Sequence, residues 1–87
     1  MNANTDIRNI LFLADLYGRH RYHALSTVSL RATKQGAYLG KLKAGEIGLT
    51  LGRRDRIVEW FSSNWPEDLE WPRDVPRPSA SGSEDAA

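Results

Sequence analysis

The feature that most constrains the fold is the stretch from Leu25 to Gly45, LSTVSLRATKQGAYLGKLKAG, which contains no acidic residue. Its apolar residues recur at spacings of three, four and seven, which place each set on one side of a helix. These positions are Leu25, Val28, Ala32, Leu39 and Leu42. Gln35-Gly36 interrupts the pattern and Ala44-Gly45 ends it. The stretch predicts two short helices, residues 25–34 and 36–43, each with a front rich in Lys, Arg and hydroxyl groups.

The charges along the chain are segregated. Residues 1–17 carry a net charge of −1 and residues 58–87 a net charge of −5. Between them, residues 18–57 carry nine Lys or Arg against two acidic residues, a net charge of +7. A basic middle between acidic ends is typical of a small protein with a nucleic-acid-binding surface. A chance distribution of surface charge is the alternative.

The first helix is predicted over residues 7–17, where apolar residues trace a 3.6-residue period. Asn4 or Thr5 is expected to cap it and Gly18 to stop it. Phe12 makes the helix apolar on more than one side, which suits a central helix or one that contributes to a dimer contact. The cationic residues 19–23 that follow are expected to form a solvated loop or a phosphate clamp.

The last helix is predicted over residues 53–64, with Thr50 as its cap and Pro66 after its end. Its apolar face is expected to close against the first helix. The residues of this face are Ile57, Trp60, Phe61 and Trp65. Three arginines in its first turn have the wrong sign for the helix dipole, which indicates an anionic partner.

The C-terminal third divides into two parts. SNWPEDLEWP repeats a Trp-Pro pair, and its apolar residues are expected to fold back over the helices. Peptide docking or a dimer contact is the competing interpretation of this segment. Residues 73–87 are rich in proline, serine and acid and are expected to be disordered. The domain organisation is therefore residues 1–72 as a helical domain and residues 73–87 as an acidic tail.

Several functions lack the residues they need. The chain has no cysteine, and His20 and His23 lack companion ligands nearby, so we expect neither a metal nor a cofactor. GEIGLTLG lacks the Lys-Ser/Thr of a phosphate-binding loop, and no catalytic constellation can be argued, so an enzyme is not expected. No apolar run approaches the roughly 20 residues of a membrane span, and no signal peptide is recognisable. We therefore expect a cytoplasmic, nucleoid-associated protein.

Ser26-Thr27-Val28-Ser29, preceded by a helix, a glycine and a loop, resembles the recognition helix of helix-turn-helix repressors of the lactose-repressor and phage-repressor kind. FSSNWPEDLEWP is similar to a segment of small helix-turn-helix proteins encoded by alphaproteobacteria and their prophages. The resemblance implies an all-α bundle of four to five helices that contains a helix-turn-helix. It also implies a bacterial, sequence-specific, double-stranded DNA-binding regulator of transcription that acts as a homodimer.

Two registers of the helix-turn-helix remain open. In the first, residues 25–33 read the DNA and Val28 is buried. The residues that face the groove are then Ser26, Thr27, Ser29 and Leu30. In the second, residues 36–43 read the DNA, with Ala32 and Gly36 as the small residue and the turn glycine. The exposed side chains are then Tyr38, Lys41 and Lys43. We favour the first register because its apolar residues form a complete buried seam.

The candidate DNA contacts are the polar and basic side chains of the middle block together with Leu30. They are Arg19, Arg21, Ser26, Thr27, Ser29, Leu30, Arg31, Lys34, Gln35, Tyr38, Lys41, Lys43, Arg53 and Arg54. Lys and Arg would release counterions from phosphates while a helix reads bases. The alternative function is a helical adaptor that binds RNA polymerase or another regulator through the Trp-Pro segment or the tail, without direct DNA readout.

Overall fold

The structure is a computed structural model that describes residues 3–78, and these form four α-helices and no strand. Helix α1 spans Ala3–Arg21, α2 spans Leu25–Thr33, α3 spans Tyr38–Ala44 and α4 spans Leu51–Asn64. Helices α1 and α2 pack against each other, and α3 and α4 each pack on this pair. The predicted all-α fold is confirmed, with four helices in the described part of the chain.

Helix α1 is longer than predicted at both ends. It begins at Ala3, so that Asn4 and Thr5 lie inside the helix rather than capping it. It also passes through Gly18, the predicted stop, and ends where Tyr22 takes the left-handed conformation at φ 60°. The predicted loop over residues 19–23 is therefore wrong for its first three residues, which are helical.

Gly18 has a different role from the one its position in the sequence indicated. The chain turns back after α1, and the amide of His23 donates a 2.8 Å hydrogen bond to the carbonyl oxygen of Gly18. A Cβ atom at residue 18 would lie 2.8 Å from the carbonyl oxygen of His23, a separation that real Cβ atoms essentially never show. Close approach of two backbone segments therefore requires glycine here.

Helix α4 begins at Leu51, two residues before the predicted start. Thr50 caps it as predicted, because its side-chain oxygen accepts a 3.2 Å hydrogen bond from the amide of Arg53. Helix α2 has no such cap. Ala24 occupies that N-cap position, and no side-chain hydrogen bond caps the helix. Ser26 lies inside the helix instead.

The core is built around an aromatic contact between α1 and α4. Phe61 is fully buried, and its ring centroid lies 5.9 Å from that of Tyr17 and 6.3 Å from that of Trp65. Val28 is also fully buried, as predicted, while Trp60 is only partly buried. Edge-to-face packing of this kind adds about 0.5–1.5 kcal/mol per aromatic pair beyond the burial of area.

Residues 73–78 are packed against the helices, so the predicted disorder from Arg73 onward is wrong for this part. Val75 is only 3% exposed, and its carbonyl oxygen accepts a 2.7 Å hydrogen bond from the indole nitrogen of Trp71. The guanidinium of Arg77 lies 4.8 Å from the ring centroid of Trp71 and donates a 2.9 Å hydrogen bond to the carbonyl oxygen of Ser62 in α4. Residues 79–87, the rest of the predicted tail, lie outside the described residues.

Replacing Val75 with alanine tests whether the segment after Trp71 contributes to stability. We expect a loss of about 1–2 kcal/mol in the free energy of unfolding, because buried methyl groups are removed and a cavity remains. In a domain of this size the melting temperature should fall by roughly 4–8 °C per kcal/mol. Pro76→Ala, at an exposed neighbouring position, is the matched control. Equal melting temperatures for the two variants would contradict a structural role for Val75.

Candidate nucleic-acid interface

Helices α2 and α3 are joined by four residues, Lys34 to Ala37. Lys34 takes the left-handed conformation at φ 66°, and its amide donates a 2.8 Å hydrogen bond to the carbonyl oxygen of Leu30. This closes α2 where the sequence predicted a break. Gly36 lies within the connection, so α3 begins at Tyr38 rather than at Gly36.

Ser29 joins the two helices through its hydroxyl group. The hydroxyl donates a 2.6 Å hydrogen bond to the carbonyl oxygen of Gln35 and accepts a 3.0 Å bond from the amide of Leu39. Thr33 adds a 2.7 Å hydrogen bond from its hydroxyl to the carbonyl oxygen of Ser29. Ser29 is 0% exposed, so its predicted role as a DNA contact is wrong. Its hydroxyl instead fixes the start of α3 against α2.

The other candidates on α2 and in the connection do reach the surface. Leu30 is 55% exposed and Thr27 is half-buried. The remaining exposed candidates of this part are Ser26, Arg31, Lys34 and Gln35. Helix α2 therefore presents a mixed face, while its opposite side is buried against α1, α3 and α4.

Helix α3 buries one face and exposes the other. Leu39 and Leu42 are buried, while Gly40, Lys41 and Lys43 are exposed. The outward positions therefore combine a residue without a side chain and two cations.

The predicted exposure of Tyr38 is wrong, because its side chain is 8% exposed. The guanidinium of Arg53 covers it, at 4.8 Å from the ring centroid. Burial raises the pKa of the Tyr38 phenol, and the positive charge of Arg53 partly opposes that shift. Tyr38 and Arg53 therefore form a contact between α3 and the start of α4, and Arg53 remains half-buried.

Arg54 is occupied by contacts within the chain. Its guanidinium lies 2.9 Å from the carboxylate of Asp55 and 3.2 Å from that of Asp6, which is itself buried. The hydrogen bonds to Asp55 and then Asp6 raise the pKa of Arg54. The pair with Asp6 joins α4 to α1, so Arg54 has a structural partner already in place.

Arg19 and Arg21 lie at the end of α1. Arg19 is paired with Asp15 at 3.2 Å, and Arg21 lies 5.8 Å from the ring centroid of Tyr17. Both remain exposed. Arg19 shares a groove beside α1 with Lys43, and neither residue lines the two depressions that Lys41 lines.

The remaining candidates meet along α3. One surface depression is lined by Ser26 and by residues of the outward face of α3. A second depression is lined by residues of that face and of the start of α4. We call this area the α3 surface. Its residues are Ser26, Gln35, Gly36, Ala37, Gly40, Lys41, Thr50 and Arg53. Glu46 lies at its edge and is the acidic residue among those that line the two depressions.

Three residues of the α3 surface were missed in the sequence. Ala37 and Gly40 lie on the outward side of α3, and Thr50 lies at the start of α4. A Cβ atom at Gly40 would meet nothing within 4 Å, so this position is open to a partner. A signal for Ala37 and Gly40 was available, since small residues flank the large pair Tyr38-Leu39 in GAYLGK, whereas the sequence indicated Thr50 only as the cap of the last helix.

The cations of α2 and α3 lack ion-pair partners in the described part of the chain. They are Arg31, Lys34, Lys41 and Lys43, and all four are exposed. The reason lies in the sequence, because no acidic residue occurs between Asp15 and Glu46. None of these four charges is therefore held in an ion pair with a carboxylate among residues 3–78, although Glu46 lines one of the two depressions.

Comparisons with known proteins add no assignment. No protein-family model, curated protein or solved structure matches this chain. Over residues 3–78, no group of three or more His, Cys, Asp or Glu is arranged to hold a metal ion. Among the helices that the structure describes, none is both long and apolar enough to cross a membrane.

Ser29→Ala should destabilise the fold by about 1–3 kcal/mol, because it leaves the buried amide of Leu39 without its acceptor. Ser26→Ala is the matched control, since Ser26 is exposed and a surface change of this kind should stay within about ±0.5 kcal/mol. Urea denaturation of the two variants measures the difference. If Ser29→Ala proves as stable as Ser26→Ala, the hydroxyl does not join α2 to α3.

Proposed function

We propose that this chain is a sequence-specific, double-stranded DNA-binding regulator in which α2 and α3 form a helix-turn-helix. The observation that carries the proposal is the outward face of α3, made of small residues and Lys41, together with the four exposed cations of α2 and α3 that have no ion-pair partner among residues 3–78. Such a face admits close approach to base edges, and unpaired Lys and Arg attract phosphates.

The geometry favours α3 as the reading helix. A helix-turn-helix joins two helices by a turn of three to four residues that often contains glycine, and its second helix enters the major groove. The connection Lys34–Ala37 has this length and contains Gly36. Helix α2 is held between three other helices, and Ser29 on it is buried. We therefore prefer the second register over the first one favoured by the sequence.

The residues of the α3 surface have distinct roles in this arrangement. Ser26 and Arg53 flank α3 on opposite sides and suit contacts to the two phosphate backbones that border the groove. Gln35 and Lys41 are polar side chains that line the depression at the outward face of α3. Their amide and ammonium groups match adenine and guanine edges, respectively, in the major groove.

The adaptor alternative receives no specific support from the Trp-Pro segment. The rings of Trp65 and Trp71 lie 5.0 Å apart, and Arg77 covers Trp71. The aromatic side chains that would anchor a partner are therefore engaged with this chain itself. Salt-dependent binding to duplex DNA separates the two functions, because a protein adaptor has no reason to show it.

A salt series with a random-sequence duplex pool tests the proposal. The logarithm of affinity should fall linearly with the logarithm of salt concentration, with a slope of about −0.9 per phosphate neutralised. Lys41→Ala should weaken binding and reduce the magnitude of this slope by roughly one phosphate contact. Arg73→Ala, which removes an exposed cation from the C-terminal segment, is the control and should leave both unchanged. A protein that shifts no duplex even at low salt is not a DNA-binding regulator.

Two glutamate substitutions distinguish the reading helix. Gly40→Glu places bulk and negative charge on the outward face of α3, and Leu30→Glu does the same on the exposed side of α2. If α3 enters the groove, Gly40→Glu should abolish the sequence selection seen when the bound pool is sequenced, and Leu30→Glu should have a smaller effect. The reverse order would make α2 the reading helix. Thermal melts check that both variants remain folded.

A further inference from the structure

Helix α1 has a partly exposed stripe along one side. Arg8, Leu11, Phe12 and Asp15 follow one another at helical spacing and lie on this side, continued by Arg19. Phe12 is 45% exposed, and Leu11 is only partly buried. We call these five residues the α1 stripe. They line an open groove of about 730 Å³ that runs between α1 and residues 22–25.

The order of charges along the α1 stripe is self-complementary. When two identical helices pack antiparallel about a two-fold axis, each residue faces the one equally far on the other side of the axis. With the axis between Leu11 and Phe12, the phenyl ring of Phe12 faces Leu11 of the second copy. Arg8 then faces Asp15 of the second copy, and Asp15 faces its Arg8. One arrangement thus buries the exposed apolar pair and matches both charges.

The charged groups are available for these contacts. Arg8 has no ion-pair partner within residues 3–78. Asp15 binds Arg19 of its own helix, but its side chain is 51% exposed and a carboxylate can accept from a second donor. An apolar centre with a charged rim is the usual anatomy of a protein interface.

We propose that a second copy of this chain docks on the α1 stripe, with the two α1 helices antiparallel. Tyr22 supports this use of the groove. Tyr22 is 95% exposed, so its ring is not buried within its own chain. Its backbone takes a left-handed conformation that favours glycine. Tyr22 lines the groove, where a docked helix can contact its ring. Arg8, Arg19 and Lys43 line the groove as well, but the apolar side chains of Leu11, Phe12 and Leu25 and the carboxylate of Asp15 lie among them. This mixed lining matches the mixed α1 stripe of a second copy better than the uniform negative charge of a phosphate backbone.

Sedimentation equilibrium of the full chain without DNA tests the proposal. The wild type should show a monomer–dimer equilibrium within the range of about 1 µM to 1 mM. Arg8→Asp alone and Asp15→Arg alone should each raise the dissociation constant by about tenfold or more, because like charges then face each other twice. In an equimolar mixture of the two variants every facing pair is unlike, so the dimer should return. Phe12→Ser should abolish it in any mixture.

The controls keep the outcomes distinct. Glu59→Arg reverses an exposed charge on α4, outside the α1 stripe, and should leave the dimer unchanged. The substituted side chains of α1 are exposed, so thermal melts should show all variants folded. A monomeric wild type over the whole range, or a mixture that stays monomeric while the wild type dimerises, overturns the proposal. Weaker DNA binding by Phe12→Ser together with a monomeric wild type would assign the groove to nucleic acid instead and also overturn it.

Discussion

The packing of Phe61 against Tyr17 and Trp65 is the contact on which the rest of the structure depends. It closes α4 on α1, and Trp65 carries the contact into the C-terminal segment through Trp71. Because α1, α2 and α4 are held together in this way, α3 can be attached on one side and leave its other face free. These aromatic rings join a core that is otherwise largely aliphatic, to which α3 contributes Leu39 and Leu42.

Three acidic residues of the first helix and the C-terminal segment make contacts within the chain. Asp6 holds Arg54, and Asp15 holds Arg19. Asp68 binds His20 at 3.1 Å, and this hydrogen bond is the main cause that holds the pKa of Asp68 below its usual value. The cations of α2 and α3 lack such partners among the described residues. This unpaired charge is the basis of the proposed function.

The two proposals use different surfaces of the same bundle. The α3 surface involves the starts of α2 and α4, whereas the α1 stripe lies along the groove that Lys43 and Tyr22 share with α1. A dimer through α1 would place two α3 surfaces in one particle, as two half-sites of DNA require. Each proposal has its own measurement. Dimerisation is measured by sedimentation equilibrium without DNA, and DNA binding is measured by the salt dependence of affinity for duplex DNA.

The sequence by itself determined the local features. Apolar periodicity predicted the all-α class and the burial of Val28. A threonine just ahead of the last helix predicted the cap Thr50. Each of these features depends on neighbours within a few positions. The acid-free run already showed that the cations of α2 and α3 have no acidic residue between Asp15 and Glu46. What only the tertiary structure decided depends on contacts between distant residues. The sequence predicted Ser29 as a DNA contact, but its hydroxyl accepts a hydrogen bond from the amide of Leu39, ten residues away. The sequence predicted Gly18 as the end of the first helix, but glycine is required there because the carbonyl oxygen of His23 approaches it closely. Val75 stood in a proline-rich acidic segment, and it is buried because Trp71 and α4 offer it a surface that no local pattern reveals.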